Sequence, residues 1–156
     1  MKNIKIMMLL IMFSITGSFS LKAQVSGADK IKDKVTSQNY TFKAQVVIPQ
    51  IGSSRQLTDS YDLTITKDSI ISYLPFFGQA YRPPVDATDN GIKFTSTKFE
   101  YLEEILKQNK GWQITIIPKD VMEVQKLFLT IFNNGSANLD VVSTNRQGIS
   151  YTGFIK

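Results

Sequence analysis

A single antiparallel all-β domain, barrel-like or sandwich, of about nine short strands behind a short N-terminal helix is the fold class that this sequence predicts. Three observations lead there. Apolar and polar residues alternate with period two in stretch after stretch between Tyr40 and Ile155, the signature of half-buried strands. Turn-forming residues break those stretches at intervals of roughly 8–12 residues, the spacing of sandwiches and barrels. Finally, 156 residues with 42% hydrophobic side chains and no Cys suit one domain large enough to hold a core without disulfide staples.

Residues 1–23 have the layout of a cleavable secretory signal peptide. Lys2 and Lys5 precede an apolar run from Ile6 to Ile15, broken only by Ser14. Gly17, Ser18 and Ser20 then lead to Leu21-Lys22-Ala23, and cleavage is expected near Ala23, with Ser20 as the other small residue available. The apolar run is about half the roughly 20 residues needed to span a bilayer, which favours a leader over an anchor. A lipid-bearing bacterial leader needs a cysteine, and the chain has none. The mature protein is therefore expected in the periplasm or outside the cell, with no transmembrane segment of its own. Its strands are too short and irregular for the roughly 9–11-residue period of a membrane barrel.

Residues 24–38 form the N-terminal segment. Ala28, Ile31 and Val35 are spaced three and four apart, which predicts a short amphipathic helix with Ser26 as its cap. Such a helix is too short to stand alone and must dock on a larger body.

Residues 39–156 form the β domain. Tyr40, Phe42, Ala44 and Val46 alternate with polar residues up to Pro49, and Gly52-Ser53-Ser54 makes a turn. Tyr61, Leu63 and Ile65 predict the next strand, which Lys67-Asp68 turns into Ser69–Leu74 as a hairpin. After an aromatic, proline-rich loop, Gly91–Ser96 reads as a strand. Residues 98–107 carry good helix formers, Leu102, Glu103, Glu104 and Leu106, yet Phe99, Tyr101 and Ile105 keep a period of two and predict a strand. Asn109-Lys110-Gly111 turns it into Trp112, Ile114 and Ile116. A short apolar strand, Lys126–Phe132, meets the strongest turn signal in the chain, Asn133-Asn134-Gly135-Ser136. Ala137–Ser143 and Ile149–Ile155 complete the set.

Composition excludes several kinds of chemistry. Without His or Cys there is no Ser-His-Asp or Cys-His catalysis, no imidazole- or thiolate-held zinc, haem or copper, and no histidine pH switch. Removing the leader takes Lys2, Lys5 and Lys22 from the 18 basic residues and leaves 15 against 13 acidic ones, a net of +2. That charge, spread without runs, makes no nucleic-acid footprint. Gly148-Ile149-Ser150-Tyr151-Thr152-Gly153 misses a nucleophile elbow by one residue and lies in strand-like sequence, so its glycines read as points of close backbone approach. Asp86-Ala87-Thr88-Asp89-Asn90-Gly91 imitates the start of a calcium loop, but the twelfth position is Thr97 where a bidentate Glu is needed. Glu103 and Glu104 are adjacent and point to opposite faces of a strand, unlike the facing carboxylates of a glycosidase. No catalytic residue, cofactor or metal ligand is predicted.

Two features invite a functional reading. Five of the nine residues in Tyr73-Leu74-Pro75-Phe76-Phe77-Gly78-Gln79-Ala80-Tyr81 are aromatic or proline, and Arg82-Pro83-Pro84 follows. The cluster is either a plug that closes the end of the fold or a binding lip whose rigid rings stack on a ligand. In Asn145-Arg146-Gln147, Arg146 has a guanidinium fork suited to a carboxylate such as Asp62 or Asp68, or to a ligand anion.

The same stretches carry a resemblance. Phe42 and Ala44 ahead of Pro49, Ser54-Arg55-Gln56-Leu57-Thr58 before Tyr61, Asp68-Ser69-Ile70, Tyr73–Tyr81, Gly91-Ile92-Lys93-Phe94, Gly135-Ser136-Ala137, Leu139-Asp140-Val141 and Asn145–Gly153 resemble an uncharacterised family of exported proteins from Bacteroidetes-type bacteria, a domain of unknown function. The likeness runs through nearly all the mature chain. It implies export and one β domain, and supplies no activity or substrate. Where that family tends to show Tyr and Arg, this chain has Phe77 and Gln79.

The reading that results is an exported, non-enzymatic envelope protein that binds a small or extended ligand, or a protein partner, through Tyr73, Phe76, Phe77 and Tyr81, joined by Arg82 and Arg146. The alternatives are a hydrolase working with carboxylate, Tyr or Ser groups alone, and a structural component of envelope assembly.

Overall fold

The computed structural model of the protein describes residues 27–81 and 91–156. A helix, α1 (Gly27–Ser37), precedes nine strands: β1 (Tyr40–Pro49), β2 (Arg55–Ile65), β3 (Ile70–Leu74), β4 (Ile92–Ser96), β5 (Phe99–Ile105), β6 (Gly111–Pro118), β7 (Val124–Phe132), β8 (Ser136–Ser143) and β9 (Ile149–Ile155). The expected leader, residues 1–23, and the expected cap, Ser26, lie outside the described residues. α1 buries Ile31 and Val35. It ends where Gln38 turns left-handed at φ 50°. Gln38 N–H then donates to the Val35 carbonyl and Asn39 N–H to the Lys34 carbonyl, which satisfies two carbonyls that the helix end would otherwise orphan.

The strands form one sheet in the order β4-β3-β2-β1-β9-β8-β7-β6-β5, and every pairing is antiparallel. This is the all-β, barrel-like architecture expected. The pairing of β9 with β1, Phe42 opposite Ile155 through to Pro49 opposite Ile149, curls the meander into a nearly closed barrel. Eight antiparallel steps separate β4 from β5 around the sheet, so these two strands run in the same sense. Parallel neighbours need a crossover of a dozen or more residues, but only Thr97 and Lys98 intervene. β4 and β5 are therefore two halves of one bent run. The carboxylate of Asp120 holds the bend, accepting from the Ser96 hydroxyl, from Thr97 N–H at 2.9 Å and from Lys98 N–H at 3.1 Å.

The inner face is filled. Phe42, Leu63, Ile65, Leu74, Ile114, Ile116, Leu127, Leu129, Ile131, Leu139 and Tyr151 are fully buried in one continuous cluster, so the barrel encloses a packed core. β8 shows the pattern plainly: Ala137, Leu139 and Val141 face in, while Ser136, Asn138 and Asp140 face out. In β1 the register shifts between Ala44 and Val46 against both neighbours. This bulge at Gln45 corrects the simple alternation, because Val47 is fully buried where Val46 is only half-buried. An extra residue rotates everything beyond it.

Within the ambiguous stretch at residues 98–107, Phe99–Ile105 is strand β5, paired along its length with β6, and a 3-10 turn begins at Lys107. Its helix-forming residues are mostly exposed, and the ladder overrides their weak propensity. Among the described residues no helix is long and apolar enough to cross a membrane.

Candidate functional site

The two irregular stretches singled out in the sequence meet at one end of the barrel. β3 delivers Leu74 and Pro75 to the interior, where both are buried. The Tyr151 hydroxyl, inside the barrel on β9, donates to the Pro75 carbonyl at 2.6 Å. Burial holds this phenol far above its usual range of ionisation, so it remains a neutral donor. Beyond Pro75 the loop docks on the β8–β9 connection. Ala80 bridges Arg146, Tyr81 N–H donates to the Asn145 carbonyl at 2.8 Å, and Gln147 N–H donates to the Gln79 carbonyl at 3.1 Å. The buried Gln147 side chain accepts in return from Gln79 N–H at 3.2 Å.

This docking leaves Phe76 and Phe77 half-buried against the core, each with a guanidinium over its ring. Arg146 stands 5.3 Å from the centre of Phe76 and Arg55 stands 4.8 Å from the centre of Phe77, distances at which cation–π attraction operates. Between them and the β1–β2 turn opens a cleft of about 380 Å³, lined by Pro49, Ile51, Gly52, Ser53, Arg55, Phe76, Phe77, Gly78, Ala80 and Arg146. Gly78 packs so closely on Phe76 that a Cβ there would lie 2.9 Å from the ring tip.

Arg146 is the fixed member of the pair. Its side chain is only 10% exposed. It donates to the Gly91 carbonyl at 2.9 Å and reaches Glu123 at 3.5 Å. The expected acid partners are thus corrected: Asp62 pairs with Lys43 in the neighbouring strand, and among the described residues the acid beside Arg146 is Glu123, brought in by the β6–β7 connection. That connection is remote in sequence from Asn145-Arg146-Gln147, which is why spacing gave no hint of it.

The remaining predicted residues are dispersed. Tyr73 lies on the outer face of β3, 46% exposed, stacked on Tyr61 at 5.6 Å with the Lys93 ammonium 4.9 Å from its ring centre. Tyr81 is 67% exposed and does not line the cleft. Arg82 and most of the calcium-like segment 86–91 lie outside the described residues. The loop is consequently divided: Pro75 is core, Phe76 and Phe77 line the cleft, and Tyr81 is surface. Sequence reasoning missed Arg55, Ile51 and Ser53 as cleft residues. Their only local signal is their place at the Gly52-Ser53-Ser54 turn, and nothing in the sequence sets that turn against Phe77.

Among the described residues no three or more His, Cys, Asp or Glu side chains gather to hold a metal ion. A second cleft of about 300 Å³ lies at the opposite end, between α1 and the β5–β6 turn, lined by Asp29, Lys32, Ile105, Trp112 and Asn133 among others. It brings together none of the predicted site residues.

No curated protein matches the chain in sequence. Its fold is similar to the crystal structure of a DUF4251 family protein from Bacteroides eggerthii DSM 20697, with a TM-score of 0.64 over 84% of this chain and 87% of that one. The two are 13% identical, and at that distance the likeness speaks for the fold alone. The family model described as "Domain of unknown function (DUF4251)" matches residues 22–155, and the chain therefore belongs to the DUF4251 family.

Proposed function

We propose that this protein is exported and acts without catalysis, binding a ligand in the cleft between the aromatic loop and the β1–β2 turn. One observation carries the reading: Phe76 and Phe77 stand as half-buried walls of an open cleft, each beneath a guanidinium, while the barrel interior is packed with side chains. Ligand sites are concave, largely apolar and dressed with a few placed polar groups, in volumes of roughly 300–1,000 Å³. This cleft falls at the small end of that range, which favours a small molecule, or one residue of an extended chain. A pair of carboxylates across the cleft would favour the hydrolase alternative; among the described residues this lining contains two arginines and no acid. Export rests on the leader-like residues 1–23 and places the cleft in the periplasm or outside the cell.

The test is a thermal-shift screen of the purified protein against glycans, carboxylic acids, amphiphiles and short peptides. Phe77→Ser is screened in parallel. A ligand at 100 times its Kd stabilises the fold by about 2.7 kcal/mol. A compound that raises the melting temperature of the wild type and not of folded Phe77→Ser supports the reading. Compounds that stabilise both proteins equally place binding elsewhere and refute it.

A further inference from the structure

The cleft just described also has a chemical preference, and this inference rests on the binding reading above. We infer that its ligand is an apolar body carrying an oxyanion, a carboxylate in the simplest case, and that Arg55 receives the anion. Among the described residues, the lining includes two permanent positive charges, Arg55 and Arg146, and no Asp or Glu. The two arginines differ in their engagements. Arg146 is 10% exposed, tied to the Gly91 carbonyl, and near Glu123. Arg55 is exposed, and among the described residues its guanidinium has no carboxylate within ion-pair distance.

What fixes Arg55 is an apolar surface, the ring of Phe77 at 4.8 Å. A guanidinium lying on a ring keeps its edge donors pointing sideways, available to a bidentate acceptor. Its backbone is held in the β1–β2 ladder opposite Val47, so the head is presented from a rigid strand end. Ser53, beside it, adds a hydroxyl to the lining. The apolar part of the ligand is met by Phe77, Phe76, Ile51 and Pro49. Ile51 is 66% exposed, an apolar side chain left in water at the cleft mouth. A neutral ligand would use the rings and waste the charge; a bare inorganic anion would use the charge and waste the rings.

The experiment is calorimetric titration of the purified protein with three probes: decanoate, decanol and inorganic sulfate. Each probe is repeated on Arg55→Gln and on Phe77→Ser. The Arg55 side chain is exposed and stands outside the core, so Arg55→Gln folds, and its unfolding curve is recorded to verify this. A charge-assisted bidentate contact corresponds to about tenfold or more in Kd. The expected result is that decanoate binds wild type at least about tenfold more tightly than decanol, that Arg55→Gln removes this difference, and that Phe77→Ser weakens both probes. Sulfate alone is expected to bind weakly or not at all.

Equal binding of decanoate and decanol, or no change in Arg55→Gln, overturns the anion assignment while leaving the cleft as an apolar site. Sulfate binding as tightly as decanoate also overturns it, since the apolar body then contributes nothing. If none of the three probes binds, the assignment falls, and the broader cleft reading falls with it only if the wider screen yields no ligand sensitive to Phe77→Ser.

Discussion

Tyr151→Phe removes one oxygen atom from the middle of the protein, and its effect is expected at the cleft. The Tyr151 side chain is fully buried, and its hydroxyl is given to the Pro75 carbonyl at 2.6 Å. Phe fits the same volume, so no cavity term arises. What is lost is a short hydrogen bond, and what is left is a buried carbonyl without that donor. An unmade buried hydrogen bond costs about 1–3 kcal/mol. For a domain of this size about 2 kcal/mol lowers the melting temperature by roughly 5–10 °C. The loss is not spread evenly, because Pro75 begins the loop whose amides at Gln79 and Tyr81 are bonded to the β8–β9 connection. Thermal unfolding at neutral pH, followed by circular dichroism, measures the first effect. Amide hydrogen exchange measures the second, with faster exchange at Gln79, Tyr81 and Gln147 than on the β7–β8 hairpin. A melting temperature within about 2 °C of wild type, with unchanged exchange at those three amides, refutes the claim that this bond anchors the loop.

Three further outcomes follow from the same reasoning. Gly153→Ala is expected to cost roughly 3–5 kcal/mol or to prevent folding, because its Cβ would overlap the Lys43 carbonyl oxygen across the β1–β9 pairing; a melting temperature near wild type sinks this. Burial raises the phenol of Tyr40 and that of Tyr151 far above 10.0, and that of Tyr101 to about 12. The folded state therefore keeps protons that the unfolded chain loses near pH 10, and the contribution of these tyrosines to stability is constant below that pH and declines above it. For Tyr40 and Tyr151 together the decline is about 3 kcal/mol per pH unit, checked by urea midpoints between pH 9 and 11.5, with a shallower slope in Tyr40→Phe. Asp120 is pushed the other way, down to about 2, first by the Ser96 hydroxyl and then by the Thr97 amide. Its contribution is present above the ordinary carboxylate value of 3.8 and is lost as pH falls toward about 2. Asp120→Asn should therefore be less stable than wild type at pH 7 and indistinguishable from it near pH 2 in denaturant titrations, with Thr97 and Lys98 amides exchanging faster at neutral pH.

Strand positions were legible because each strand buries one face, and period two survives in the residue order even where propensity pulls toward helix, as at Leu102-Glu103-Glu104. The bulge was not legible. Val46 and Val47 are equally apolar, and only the partner strands decide which of them turns inward. The seam of the sheet was also hidden: joining β9 to β1 pairs residues 100 or more positions apart, for which local pattern carries no signal. At the site, the Tyr73–Tyr81 stretch betrayed itself by composition, since aromatic residues and proline are uncommon together in a loop. Arg55 did not, because an arginine after a Gly-Ser-Ser turn looks like ordinary surface until the fold lays it on Phe77. Glu123 is the complementary case, one of many acids until the β6–β7 connection brings it to Arg146.

The junction of β1 with β9 also dictates when this protein can become itself. Thr41 N–H donates to the Lys156 carbonyl and Lys156 N–H donates back to the Thr41 carbonyl, so the first and last strands of the chain lock edge to edge. Each hairpin from β1 to β8 can form as soon as its own residues are available, but the ring cannot shut until β9 arrives. Until then β1 and β8 both present unpaired edges, the hazard that closed sheets abolish. Pairings of such long sequence separation slow folding, and the intermediates they leave are prone to aggregate. A chain cut before Ile149 would lack one strand and also lose the Tyr151 anchor of the aromatic loop, so completion of the ring and assembly of the cleft are a single event.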